Sequence, residues 1–186
     1  MLDAVDLGRG QGVIALPRLG ALWLAWDHAG LVALHQHAAL TPAALRDTHL
    51  RAGRDDREVP SLLRAPFEAF DRGEPIDLAE VPVLLEGPPF FVAVWSALRR
   101  VARGTVRTYG GLARDAGSPR ATRAVGTAMA RNPLPMVVPC HRAIASGSHL
   151  GGFSDAEGTE RKKVLLALEG VRVDGDRVLP GQLDLL

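Results

Sequence analysis

The period of apolar and polar positions changes about halfway along the chain. In the first part, Leu22, Leu24 and Trp26 alternate with Ala21, Trp23 and Ala25, the period-2 pattern of a half-buried strand. Asp27-His28-Ala29-Gly30 supplies turn residues, and Leu31-Val32-Ala33-Leu34 returns as a second strand, so the pattern predicts a hairpin. Residues 41–60 mix charge with Gly and Pro and read as loop or partial helix. A short helix around Ser61–Asp71 would turn Leu62, Leu63, Phe67 and Phe70 largely to one side. Residues 75–89 hold four prolines and little periodicity, and read as an extended linker.

Helical spacing takes over in the second part. Phe91, Val94, Trp95, Leu98 and Val101 predict a helix that stops near Gly104. Thr108 reads as the N-cap of a short helix over Tyr109–Ala116, ended by Gly117. Ser118-Pro119 reads as the opening of the next helix, with Ser as N-cap and Pro at its first position. That helix should reach about Arg131, because Asn132-Pro133 cannot continue it. Val125, Ala128 and Met129 share an inward face, opposite Arg120, Arg123, Thr127 and Arg131. The two helices form a helix-turn-helix pattern, which is also a common packing unit. Beyond them lie an apolar run, Leu134 to Val138, and a Gly/Ser-rich segment. Thr159 is placed to cap a last helix over Glu160–Glu169, stopped by Gly170, and Asp174-Gly175 marks a turn in the tail.

Charge changes the reading of the second half. Residues 89–142 hold nine arginines and a single acid, Asp115, a net charge of +8 inside a chain whose total is +1. Such a block suits phosphate binding, with a solvated Arg-rich surface as the alternative. Composition excludes other classes. The apolar runs are short and broken by Pro, Gly or charge, so no transmembrane helix is expected. Leu2-Asp3-Ala4-Val5-Asp6 has neither a basic nor an apolar signal region, and a cytoplasmic protein is expected. With one cysteine there is no internal disulfide and no Cys₂-type zinc site.

That cysteine lies in Pro139-Cys140-His141-Arg142. A thiolate is the reactive form of cysteine, and nearby cations or a base favour it. His141 and Arg142 are such groups, although sequence neighbours often point apart. A lone cysteine is otherwise an ordinary buried residue. A hydrolase would usually draw its histidine from far away, and His28, His35, His37, His49 and His149 are formal candidates.

Several motifs now stand in order: Phe91-Val92-Ala93-Val94-Trp95, Thr108-Tyr109-Gly110-Gly111-Leu112-Ala113, Arg123-Ala124-Val125-Gly126, Asn132-Pro133, Val138-Pro139-Cys140-His141-Arg142 and Leu165-Leu166-Ala167-Leu168-Glu169-Gly170. With them the chain resembles the O6-alkylguanine-DNA alkyltransferases, the methylated-DNA–protein-cysteine S-methyltransferases. The match is strong over about residues 89–171 and weaker over Gly20–Gly30 and Phe67–Gly73.

The resemblance implies an α+β fold. A small N-terminal α/β domain with an antiparallel sheet would span residues 1–85, and a mostly helical C-terminal domain with the helix-turn-helix residues 86–186. It implies irreversible, stoichiometric transfer of the alkyl group from O6-alkylguanine in double-stranded DNA to Cys140, with O4-alkylthymine as an open second substrate, without cofactor or metal, by a monomer. The damaged base is flipped out of the stack, since the sulfur cannot reach a stacked base. Arg123 would fill the space left behind, with Ala124, Gly126 and Thr127 on the DNA-facing side of the same helix. Tyr109 would help rotate the backbone and donate a hydrogen bond to the guanine. His141 would act through a water as base toward the thiol, oriented by Glu169, and Asn132 would tie the recognition helix to the active-site segment. Ala143, Phe153 and Ser154 would line the substrate pocket. Lys162 is similar to a lysine that assists the substrate in some members, although within Arg161-Lys162-Lys163 it reads more readily as solvated. The chain departs from the family in Phe153, where Tyr is usual, in a loop at residues 155–158 about two residues longer, and in the absence of Pro before Gly104. Three rivals are a lesion-binding sensor without transfer, a helix-turn-helix regulator, and a cysteine hydrolase. The sensor relatives lack the acceptor cysteine, the regulator would show no lesion preference, and the hydrolase leaves the basic block unexplained.

Overall fold

The computed structural model describes residues 6–37, 42–44, 55–152 and 158–182. Of the loop or partial helix expected over residues 41–60, residue 41 and residues 45–54 lie outside the described residues, as do the pocket residues Phe153 and Ser154. The chain is α+β and divides into two compact units, Met1–Glu86 with Pro133–Pro135, and Gly87–Asn132 with Met136–Leu186. None of the described helices is long and apolar enough to cross a membrane.

The first unit holds an antiparallel sheet of β1 (Gly10–Leu16), β2 (Gly20–Asp27) and β3 (Gly30–His37), in that order. The predicted hairpin is β2 and β3. The half-buried reading of β2 is corrected: as the central strand it is buried on both faces, with Trp23 and Ala25 as inaccessible as Leu22 and Leu24. The strand β1 escapes the alternation pattern because of its glycines. A Cβ at Gly10 would stand 2.6 Å from the Trp26 ring, and one at Gly12 would run into the Arg57 carbonyl oxygen. Helix α1 (Ser61–Asp71) buries Leu63, Phe67 and Phe70, but Leu62 is 46% exposed, contrary to the expected grouping. Position 62 lies about 100° around the helix from position 63, which takes it off the buried stripe. The buried carboxylate of Asp71 accepts the backbone N–H of Leu19 at 2.7 Å and of Arg18 at 3.0 Å, so α1 fixes the β1–β2 turn.

The expected extended linker is also corrected. Leu78–Glu80 forms a 3₁₀ turn capped by Asp77, whose side chain accepts from the Ala79 N–H. Leu78, Ala79 and Val81 are buried. The segment then pairs with β3, Leu31 N–H donating to the Pro82 carbonyl at 2.9 Å and Leu84 N–H to the Leu31 carbonyl at 2.8 Å. Proline is tolerated there because this edge uses its carbonyl.

The second unit contains α2 (Pro89–Arg99), α3 (Tyr109–Asp115), α4 (Thr122–Ala130) and α5 (Gly158–Leu168). Two short strands, β4 (Arg107–Thr108) and β5 (Ala143–Ile144), pair in parallel, and β6 (Val173–Asp174) and β7 (Arg177–Val178) form a hairpin. Val106, Ile144, Leu150, Leu166, Val171 and Val178 make one of its cores. Trp95 on α2 donates its ring N–H to the Ala128 carbonyl of α4 at 2.9 Å, so its burial leaves no unmet polar atom. Helix α4 starts later than Ser118-Pro119 predicts. Ser118 to Ala121 forms a turn closed by Ala121 N–H to the Ser118 carbonyl at 2.9 Å, and the helix follows at Thr122 without a side-chain cap. Likewise α5 already includes Thr159, which is therefore not its N-cap.

Candidate active site

Two local turns set the cysteine. Pro139 has φ −78° and ψ 69°, and the Cys140 N–H returns to the Val138 carbonyl at 2.7 Å, an inverse γ-turn. A single 3₁₀ turn over Cys140–Arg142 follows, closed by Arg142 N–H to the Pro139 carbonyl at 2.8 Å. Proline suits the centre of the γ-turn because its fixed φ is already near the required value. The Asn132 side-chain amide donates to the same Val138 carbonyl at 2.8 Å. Asn132 follows directly after Arg131, the C-cap of α4, so one hydrogen bond joins the end of α4 to the segment that carries Cys140.

The sequence neighbours of Cys140 do different work. The His141 ring is 1% exposed, and its Nε2 lies 2.9 Å from Glu169 Oε1. A carboxylate only accepts, so the Nε2 hydrogen points at Glu169 and Nδ1 is the atom left to take a proton. That Nδ1 is buried and has no hydrogen-bond partner among the described residues. Arg142 turns away into the same carboxylate: Nε meets Glu169 Oε2 at 2.8 Å and an Nη meets Oε1 at 2.7 Å. Its other Nη donates to the Val101 carbonyl at 2.6 Å. This fork-on-carboxylate geometry is specific to arginine. Burial alone would raise the Glu169 pKa, but His141 and Arg142 outweigh it and bring the carboxyl down to about 2.

Lys162 corrects a sequence expectation. It is fully buried rather than solvated, and its ammonium donates to the Ala143 and Leu150 carbonyls at 2.5 Å each. Burial lowers its pKa to about 8, with the charge of Cys140 acting in the opposite direction. Tyr109 stands at the start of α3, whose N-cap Thr108 accepts the Gly111 N–H at 3.0 Å as the sequence predicts. Its hydroxyl donates to the Gly152 carbonyl at 3.4 Å, and burial followed by the Cys140 charge raises its pKa. Cys140, His141, Glu169, Asn132, Tyr109, Ala143 and Lys162 thus come together within one unit.

Arg123, Gly126 and Thr127 do not join this cluster. They are exposed on α4, opposite buried Val125, Ala128 and Met129, and Ala124 is half-buried. Among the described residues nothing lies within 4 Å of a Cβ built on Gly126, so no contact among them requires its missing side chain. Sequence reasoning missed the clamp role of Arg142. Its only signal was position after His141, which fits a solvated cation equally well.

Residues 89–171 match the family described as 6-O-methylguanine DNA methyltransferase, DNA binding domain. The chain is 36% identical over 152 residues to a methylated-DNA–protein-cysteine methyltransferase of Methanosarcina acetivorans, covering 82% of this chain and 93% of that protein. It is 40% identical over 119 residues to the constitutive methylated-DNA–protein-cysteine methyltransferase of Bacillus subtilis, covering 63% of this chain and 71% of that one. Among solved structures it is similar to Mycobacterium tuberculosis OGT in complex with DNA, with a TM-score of 0.69 and 32% identity, covering 87% of this chain and 93% of that one.

Proposed function

We propose, because this chain belongs to the methylated-DNA–protein-cysteine methyltransferase family, that Cys140 is the single-use acceptor of its alkyl-transfer reaction. The protein is a DNA-repair methyltransferase that reverses alkylation damage directly. The observation that supports Cys140 is its placement, as the chain's only cysteine, beside a buried histidine held by Glu169 with Nδ1 left over.

In this reading His141 Nδ1 takes the thiol proton through a water, and Glu169 and Arg142 hold the ring in the tautomer that allows it. The thiolate attacks the alkyl carbon on O6 of guanine. A sulfur–carbon bond forms, the O6–carbon bond breaks, and the thiol proton ends on guanine in place of the alkyl group. Tyr109 donates to the guanine as charge develops, and Ala143 and Lys162 border the pocket. The product is a thioether, which water does not cleave, so the protein acts once and needs no cofactor.

The pair α3 and α4, joined through Gly117–Ala121, serves as the helix-turn-helix that meets double-stranded DNA. Arg123 enters the stack where the damaged nucleotide leaves, and Gly126 lets the α4 backbone approach the duplex. The protein works as a monomer in the cytoplasm. Incubation with excess duplex containing O6-methylguanine should add one methyl mass per protein, located on Cys140 by peptide mass spectrometry. An unchanged mass, sustained turnover or a methyl elsewhere would refute this assignment.

A further inference from the structure

Glu169 is the C-cap residue of α5, so the geometry of that helix end fixes where its carboxylate stands. Gly170, at φ +83°, sends its N–H to the Ala167 carbonyl at 3.0 Å, and the Val171 N–H reaches the Leu166 carbonyl at 2.9 Å. This is a Schellman ending, and it satisfies two of the last carbonyls of the helix. The Leu168 carbonyl, immediately before Glu169, is met by a side chain from elsewhere: Arg103 donates to it from an Nη at 2.7 Å. A cation is favoured at this end of a helix, where the unpaired carbonyls carry partial negative charge.

Two further observations tie Arg103 to the site. The adjacent Gly104 has φ +81°, and a Cβ built there would stand 3.3 Å from the Glu169 carbonyl oxygen, so this turn presses closely on the C-cap. The other side of the same turn is held by Arg142, which donates to the Val101 carbonyl while gripping the Glu169 carboxylate. The contacts close a ring: the Glu169 carboxylate to Arg142, Arg142 to Val101, the chain from Val101 to Arg103, and Arg103 to Leu168 beside Glu169. Arg103 holds this place although its Nε is buried without a hydrogen-bond partner among the described residues, a costly arrangement for a donor.

We propose that Arg103 is a positioning residue for the transfer reaction, fixing Glu169, and through it His141, by capping the C-terminal end of α5. This rests on the reading of Cys140, His141 and Glu169 given above. Arg103 acts on the rate through the orientation of the His141 ring and touches neither substrate nor sulfur.

The test compares single-turnover methyl transfer by the wild-type protein, Arg103→Met and Arg103→Lys. Each is measured on duplex DNA and on the free base O6-methylguanine, with duplex affinity measured separately. Arg103→Met keeps much of the aliphatic stem and loses the donor. Its transfer rate should fall roughly tenfold on both substrates, as expected when a positioned group loosens, while duplex affinity stays within about twofold. Arg103→Lys, which restores a cationic donor, should recover most of the rate. The ring ¹⁵N signals of His141 should move in Arg103→Met and return in Arg103→Lys. If circular dichroism shows Arg103→Met unfolded, Arg103→Gln replaces it, with the same expectation. A wild-type rate in the donor-less variant, a fall confined to duplex substrate, or failure of lysine to rescue would overturn the proposal. Absence of transfer in the wild-type protein would instead overturn the reading of Cys140 itself.

Discussion

At the scale of single residues, the site depends on buried charges held by specific partners. Glu169 receives both His141 and Arg142. Glu169→Gln keeps the shape but leaves the buried guanidinium without its counter-charge, and breaking such a pair costs about 3–5 kcal/mol. Urea unfolding at pH 7 should show that loss. The carboxyl is depressed from 4.5 to about 2, so its stabilisation is full above the unfolded value and disappears as pH falls through the folded one. The gap between wild type and Glu169→Gln should therefore narrow between pH 4.5 and pH 2, by about 3 kcal/mol for a shift of that size. A gap that stays constant over that window would show that the carboxylate is not the titrating group. Lys162 has the opposite sign. Its folded pKa is lowered from 10.5 to about 8, so between those values the unfolded chain holds a proton that the folded chain has released. Stability contributed by this group rises with pH across the window, by about 3 kcal/mol. Lys162→Met should lose that rise, checked by comparing urea midpoints of the two proteins at pH 7.5 and 10.5; parallel pH profiles would count against it.

At the scale of elements, the DNA-facing role proposed for α4 sets stability against contact. Gly126 weakens a helix by about 1 kcal/mol relative to alanine, and none of the described residues fills the space beside it. Gly126→Ala should raise stability by roughly 0.5–1 kcal/mol while weakening duplex binding several-fold, read by thermal unfolding and by fluorescence anisotropy. A stabilised variant with unchanged affinity would remove Gly126 from the DNA face. Much of this element was legible beforehand, because Val125, Ala128 and Met129 announce the buried stripe by spacing alone. Its start was not: Ser118-Pro119 carries the signature of a helix opening, yet those residues close a turn of their own and the helix waits until Thr122. The misread segments share a cause. The residues 75–89 look like a linker because proline removes periodicity, but the Pro82 carbonyl and the Leu84 N–H both pair with Leu31 at the edge of β3. Lys162 looks solvated because two cations flank it, but its helix turns it inward onto two carbonyls. Periodicity reports which face is apolar. It carries no information about a polar group whose partner comes from a distant segment, and Arg103 and Arg142 went unread for that reason.

At the scale of the whole molecule, the same partners change what the basic block means. The nine arginines of residues 89–142 suggest nine phosphate ligands. Three of them are committed internally. Arg142 is spent on Glu169 and Val101, Arg103 on Leu168, and Arg107 on a bidentate pair with Asp115 at 2.9 and 2.8 Å. Asp115, the one acid of the block, is thereby used to neutralise an arginine under α3 and leaves the outer arginines unopposed within the block. Arg100, Arg114, Arg120, Arg123 and Arg131 are the exposed members, and Arg99 is half-buried. Arg131 also lies over the Phe91 ring at 5.9 Å, which restrains it without removing its charge. Each neutralised phosphate contributes about 0.9 to the slope of log affinity against log salt. The internal commitments therefore predict a slope near −4.5, with about −5.4 as the limit if Arg99 takes part, where the raw charge count would give about −8. Anisotropy titrations of undamaged duplex from 50 to 300 mM salt, on the order of the range over which such slopes are linear, decide between them. A slope near −8 would mean that Arg103, Arg107 and Arg142 leave their internal partners to reach DNA, and the clamp on Glu169 would then have to open whenever the protein binds.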